Sequence, residues 1–121
     1  MIGSWFMKVD DRAHLDDILT SIEAIETYTR GKSFVQFSKD QKDQDAVLRR
    51  FGIIGEAAHR LSRARMAQMT EIRWKEIVGM RNKIIHDYGD VDLKMVWKTI
   101  REDLKELKKA IEQSLVKDCE K

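Results

Sequence analysis

An all-α fold, an antiparallel bundle of four main helices with short extra helical turns, is predicted by three observations. The 121-residue chain contains no Pro, and charged residues make up 36% of it, a composition that favours helix over sheet. Its apolar residues recur in steps of three and four, without the alternation of a strand. The segments that interrupt this pattern are short, so successive helices return beside one another.

Each element has its own signal. Leu15, Ile18, Leu19, Ile22 and Ile25 fall on one face of a first helix, with Asp10 or Asp11 to cap its start and Gly31 to end it. Phe34 and Phe37 suggest a single turn that tucks aromatics under the helices. A second helix starts near Asp40 or Gln41 and buries Val47, Phe51, Ile54, Ala58 and Leu61. Gly52 and Gly55 weaken it by about 1 kcal/mol each relative to Ala, a loss that makes sense if another helix must approach closely there. Ser62 to Met69 reads as a basic connector with an extra turn. Thr70 is the expected cap of a third helix from about Glu71 to Asp87, with Ile77, Met80 or Arg81, Ile84 and Ile85 toward the core. Gly89 interrupts it, and Asp92 caps a fourth helix carrying Leu93, Val96, Trp97, Ile100, Leu104, Leu107 and Ile111. Residues 1–9 read as an N-terminal extension, 10–115 as one helical domain, and 116–121 as a polar tail expected to fray.

The net charge of +2 gives little overall steering toward nucleic acid. Its distribution says more. Residues 49–83 hold nine Lys or Arg against three Glu, a balance of +6, which leaves −4 for the remainder. Such a basic middle suits a phosphate-facing surface, and equally a set of solvated helix faces. Arg49, Arg60, Arg63 and Lys83 are its candidate RNA contacts. Cys119 is the only cysteine, which excludes an intrachain disulfide framework or thiolate zinc site and fits a reducing cytoplasm. The apolar start, Met1 to Met7, is too short for a signal-peptide core or a membrane span, and Met7 offers an alternative start. A cytoplasmic protein with no metal, no cofactor and no membrane association is expected.

The chemistry concentrates in Met80-Arg81-Asn82-Lys83-Ile84-Ile85-His86-Asp87-Tyr88. Arg81 offers a fixed fork for phosphate, and His86 is the side chain best suited to move protons near neutral pH. RNA carries its own nucleophile, the 2′-hydroxyl. Arg81 and His86 are thus the candidate catalytic pair, with Asn82, Asp87 and Glu56 in support. Glu56, among apolar neighbours, is either exposed or a buried partner for a cation such as Arg81. On an ideal helix five residues separate side chains by about 140°, so Arg81 and His86 would not share a face, whereas Arg81 with Tyr88 and Asn82 with His86 would align. A second copy related by two-fold symmetry would pool both pairs in one cleft, which argues for a homodimer. The competing reading of His86 is structural, an imidazolium complementing a helix C-terminus.

Several ordered motifs carry a resemblance. Ile53-Ile54-Gly55-Glu56-Ala57-Ala58-His59-Arg60-Leu61-Ser62 is followed by Ile72-Arg73-Trp74-Lys75-Glu76-Ile77-Val78-Gly79-Met80-Arg81-Asn82, then His86-Asp87-Tyr88, then Val91-Asp92 leading into the Trp97 helix. This pattern, spanning about Asp10 to Ile111, resembles the HepT toxins of the HEPN superfamily. The resemblance implies an all-α HEPN bundle that dimerises and cleaves RNA, transfer or messenger, without a metal. It matches Arg81 and His86 to the catalytic motif and Asn82 to the polar position beside the Arg. It matches Tyr88 to the tyrosine that a partner nucleotidyltransferase, MntA, modifies with AMP in a type VII-like toxin–antitoxin module. Arg73 stands where the family often has Pro. A non-catalytic subunit that presents substrate to a minimal nucleotidyltransferase is the alternative.

Overall fold

The computed structural model describes residues 2–85 and 90–119, with side chains from residue 11 onward. Three long helices form its frame: α1 (Ile2–Thr29), α3 (Gln41–His59) and α8 (Leu104–Cys119). Short helices fill the connections: α2 (Phe34–Ser38), α4 (Arg63–Ala67), α5 (Trp74–Val78), α6 (Met80–Ile84) and α7 (Leu93–Lys98). A π-helical turn, Thr99–Asp103, joins α7 to α8. No strand is present among the described residues, and none of their helices is long and apolar enough to cross a membrane.

The predicted stripes meet in one core. Leu15, Ile18, Ile22 and Ile25 of α1 are buried against Val47, Phe51, Ile54 and Ala58 of α3 and Leu104, Leu107 and Ile111 of α8. Fully burying a side chain such as Phe51 is worth roughly 1.5–3 kcal/mol. Polar contacts fix the helix directions. Lys32, just past α1, pairs with Asp43 at the start of α3, while Asp11 in the first half of α1 accepts from the Ser62 amide (2.9 Å) and hydroxyl (2.6 Å) beyond α3. α1 and α3 are therefore antiparallel. Lys108 of α8 pairs with Glu26 of α1 at 2.9 Å.

Local signals explain most boundaries. Gly31 takes a left-handed φ of 73° just after α1, a conformation that favours glycine. Ser33 and Gln36 close a capping box on α2, and Asp40, Ser62 and Asp92 cap α3, α4 and α7 through their side chains. Asp11 is not the cap it was expected to be: α1 starts at Ile2, and Asp11 braces the start of α4 instead.

Two expectations about helix length are corrected. The third helix is not one span capped by Thr70. It is α5, starting after Arg73 without a side-chain cap, and α6, separated by Gly79, a poor helix former. It also ends at Ile84: Ile85 turns extended and forms an antiparallel bridge with Val91, and the Asp92 amide donates to the Ile84 carbonyl at 3.1 Å. The last helix runs past Leu115, where the polar tail was expected to begin, as far as Cys119. Asp118 holds it there, accepting two hydrogen bonds from the buried Arg65 guanidinium at 3.0 and 2.9 Å. The predicted fourth helix also contains the π turn, in which the Leu104 amide donates to the Thr99 carbonyl five residues back. Ile100 and Leu104, on either side of this turn's bonds, are both buried.

Candidate active site

Arg81 stands on α6 with its side chain exposed, and Met80 and Ile84 of the same helix are buried. Of the two positions weighed for the core, Met80 takes it. The approach of α6 to α3 depends on glycine. A Cβ added to Gly52 would lie 3.3 Å from Arg81 Cδ and 3.7 Å from Arg81 Nε. A Cβ on Gly55 would lie 3.0 Å from the Val78 carbonyl oxygen. The two weak positions of α3 are thus the places where Arg81 and the α5–α6 joint press against it, as their helix-breaking character suggested.

Beside Gly52 a groove of about 320 Å³ runs between α1 and α3. His14 and Asp17 line it from α1, and Arg49, Ile53, Glu56, Ala57 and Arg60 from α3. Glu56 is exposed and pairs with Arg60 at 3.0 Å, so it is not the partner of Arg81. The reason is local: four residues apart on one helix, Glu56 and Arg60 are natural neighbours. No described carboxylate pairs with Arg81, Arg49 or Asp17's neighbour His14.

The structure brings only part of the predicted basic set together. Arg49 and Arg60 share the groove. Arg63 begins α4 and does not line the groove. Lys83 lines a different cleft of about 480 Å³, between α5–α6 and the α7–π segment, with Glu76, Asp103 and Glu106. There partial burial, and then the charges of Glu102, Glu106 and Glu76, push the Asp103 carboxyl above its ordinary range. Arg65 is withdrawn from the basic surface by Asp118. Asn82 is exposed on α6. His86, Asp87 and Tyr88 lie outside the described residues. The alignments expected of Arg81 with Tyr88, and of Asn82 with His86, therefore involve residues outside those described.

Sequence reasoning passed over His14 and Asp17 as groove residues. Their spacing of three on α1, facing the 49, 52, 56 and 60 series of α3, was the available signal. Trp97, expected in the core, is half-buried: Phe37 and Phe34 pack on it with ring centroids 5.2 and 6.2 Å away, and Arg101 lies over its ring at 5.7 Å. Among the described residues, no group of His, Cys, Asp or Glu is arranged to hold a metal ion.

Residues 18–114 match the family model described as ribonuclease HepT-like. The chain belongs to the HepT-like ribonuclease family. Its fold is accordingly the all-α HEPN fold, and its enzyme class is ribonuclease. A protein from Thermococcus cleftensis named "Probable ribonuclease HepT" is 41% identical over 107 residues, 88% of this chain and 97% of that protein. A Caldanaerobacter subterraneus protein named as a candidate RNase is 36% identical, over 88% of this chain and 96% of its own length. A Methanocaldococcus jannaschii protein, whose name joins a gamma-glutamylcyclotransferase to an RNase, is 40% identical over 87% of this chain and 47% of its own. No solved structure matches the chain.

Proposed function

We propose that this HepT-like protein is a metal-independent endoribonuclease toxin acting as a homodimer. His86 takes the proton of the RNA 2′-hydroxyl, whose oxygen attacks the adjacent phosphorus. The bond from phosphorus to the 5′-oxygen breaks, and the partner subunit's His86 protonates that leaving oxygen. Arg81 holds the phosphodiester and offsets the charge that develops on it. The products are a 2′,3′-cyclic phosphate and a 5′-hydroxyl. Asn82 and Asp87 orient the phosphate and the imidazole, and Arg49 and Arg60 hold neighbouring phosphates, with Arg63 and Lys83 farther along the strand.

The observation that carries this reading is the state of Arg81. It is an exposed guanidinium, seated over a glycine and not neutralised by the nearby Glu56, which Arg60 occupies. A fork donor in that condition is available to a phosphate. Family membership supplies the reaction class.

Control follows from the same charges. A MntA-type nucleotidyltransferase would transfer AMP to the Tyr88 hydroxyl, with pyrophosphate leaving if ATP is the donor. The added anion would stand two residues from His86 and compete with RNA for the cations. The substrate is transfer or messenger RNA, met in the cytoplasm.

The test uses purified protein, labelled RNA and EDTA. Wild type is expected to cleave and leave cyclic phosphate ends, and both His86→Ala and Arg81→Ala to lose cleavage while remaining folded dimers. Cleavage by His86→Ala at the wild-type rate would reject the scheme. Tyr88→Phe is expected to cleave normally and to escape silencing by the nucleotidyltransferase. Silencing of that variant would remove Tyr88 as the modified group.

A further inference from the structure

The groove between α1 and α3 has a composition that a pure phosphate track would not have. Arg49 and Arg60 line it, but so do the carboxylates of Asp17 and Glu56, together with the apolar Ile53 and Ala57. A phosphate placed beside two carboxylates would be repelled at short range. A nucleobase would not. It is flat and largely apolar on its faces, and its edge carries donors that carboxylates accept. The volume of about 320 Å³ falls at the lower end of small-molecule pockets, and the groove abuts the Gly52 position over which Arg81 lies.

We propose that this groove is a base-specificity subsite: it takes the base adjoining the scissile phosphate held by Arg81, and it selects against uracil. The inference rests on the ribonuclease reading above and extends it to sequence preference. Cytosine, adenine and guanine each present an exocyclic amino group for Asp17 or Glu56 to accept from. Uracil has no amino group: its one edge donor, N3–H, is flanked by two carbonyl oxygens that face the carboxylates with like partial charge. Arg49 remains free for the phosphate, and His14 supplies one further polar group beside Asp17. Glu56 also pairs with Arg60 at 3.0 Å.

The test fixes the cleavage site by placing a single ribonucleotide in a DNA strand, since only that position carries a 2′-hydroxyl. The bases on either side of the scissile linkage, that of the ribonucleotide and that of its 3′ neighbour, are then varied through all four possibilities. At one of these positions kcat/KM is expected to be about tenfold lower with uracil than with the other bases, the scale of one good base-edge contact. Asp17→Asn, whose amide can donate to a carbonyl, is expected to bring uracil to within about twofold of the others, and Glu56→Gln to narrow the gap similarly. Wild-type cleavage indifferent to base would overturn the subsite while leaving the nuclease reading intact. So would an unchanged preference in both variants, or a changed oligomeric state without changed preference, which would make the groove an interface between copies. Absence of cleavage on every strand, and on natural RNA as well, would overturn the subsite together with the reading beneath it.

Discussion

A single methyl group added at Gly52 separates the stability of α3 from the aim of Arg81. Gly52 lies inside a 19-residue helix, where Ala is favoured over Gly by about 1 kcal/mol. The new Cβ would stand 3.3 Å from Arg81 Cδ, closer than comfortable contact but against the stem of an exposed, flexible side chain. That stem can move by a few tenths of an ångström at little cost, so the helix gain survives. Gly52→Ala is expected to stabilise the protein by roughly 0.5–1 kcal/mol, a rise in Tm of about 2–6 °C. The guanidinium moves with its stem, and displacement of a positioned group toward 1 Å costs up to about a hundredfold in rate. RNA cleavage is therefore expected to fall about three- to tenfold in a more stable protein. Gly55→Ala is the control. Its Cβ would stand 3.0 Å from the Val78 carbonyl oxygen, which is backbone and cannot yield alone, so overpacking of about 1–3 kcal/mol outweighs the helix gain. Thermal unfolding and single-turnover cleavage on both variants decide the matter. If the two variants lose stability alike, or Gly52→Ala cleaves at the wild-type rate, the glycine does not seat the arginine.

Other perturbations have defined outcomes. Asp118→Asn weakens two charge-assisted hydrogen bonds to the buried Arg65 and is expected to destabilise by about 1–3 kcal/mol in a denaturant titration; an unchanged midpoint would show that Asp118 does not hold α8 to α4. Phe37→Ala empties a fully buried site beneath Trp97 and is expected to lose about 3–5 kcal/mol, with a loss under 1 kcal/mol marking a core that collapses to fill the space. Asp103→Asn should stabilise at neutral pH by roughly 0.3 kcal/mol, the scale of a like-charge neighbour on a helix. The sign follows from the raised carboxyl: the folded state binds the proton more tightly, so the strain of the charged form exists above that pKa and fades as pH falls through it. Thermal scans from pH 7 downward should therefore show the variant's advantage vanish in the acid range above the ordinary 3.8, and an advantage that grew on acidification would contradict the assignment.

The long helices were legible because periodicity and capping agree in them. Leu15 through Ile25, Val47 through Ala58 and Leu104 through Ile111 each repeat at helical spacing and each became a buried stripe. Asp40 and Asp92 were readable as caps because each precedes its helix and accepts an amide three residues on. Asp11 misled for the same reason: an Asp before an apolar stripe resembles a cap, and its distant partner Ser62 leaves no local trace. The break at Gly79 and the end at Ile84 depend on close contact with α3 and on a bridge to Val91, neither of which periodicity reports. Arg81 could be picked out as chemistry from the chain alone, and Gly52 and Gly55 as sites of close approach. That Gly52 seats Arg81 required three dimensions. Glu56 illustrates the limit: its neighbours are apolar in sequence, yet on the helix it faces solvent beside Arg60.

The grip of Asp118 on Arg65 gives proteolysis an electrostatic meaning. Removing residues 118–121 would take away the carboxylate that neutralises the Arg65 guanidinium and leave it bonded only to Ser114 and Gln68. That cation would then either drag α4 outward to reach water or draw a polyanion toward it. A molecule lacking residues 118–121 would therefore run as more basic and elute later from a cation exchanger than the net loss of one negative charge alone predicts.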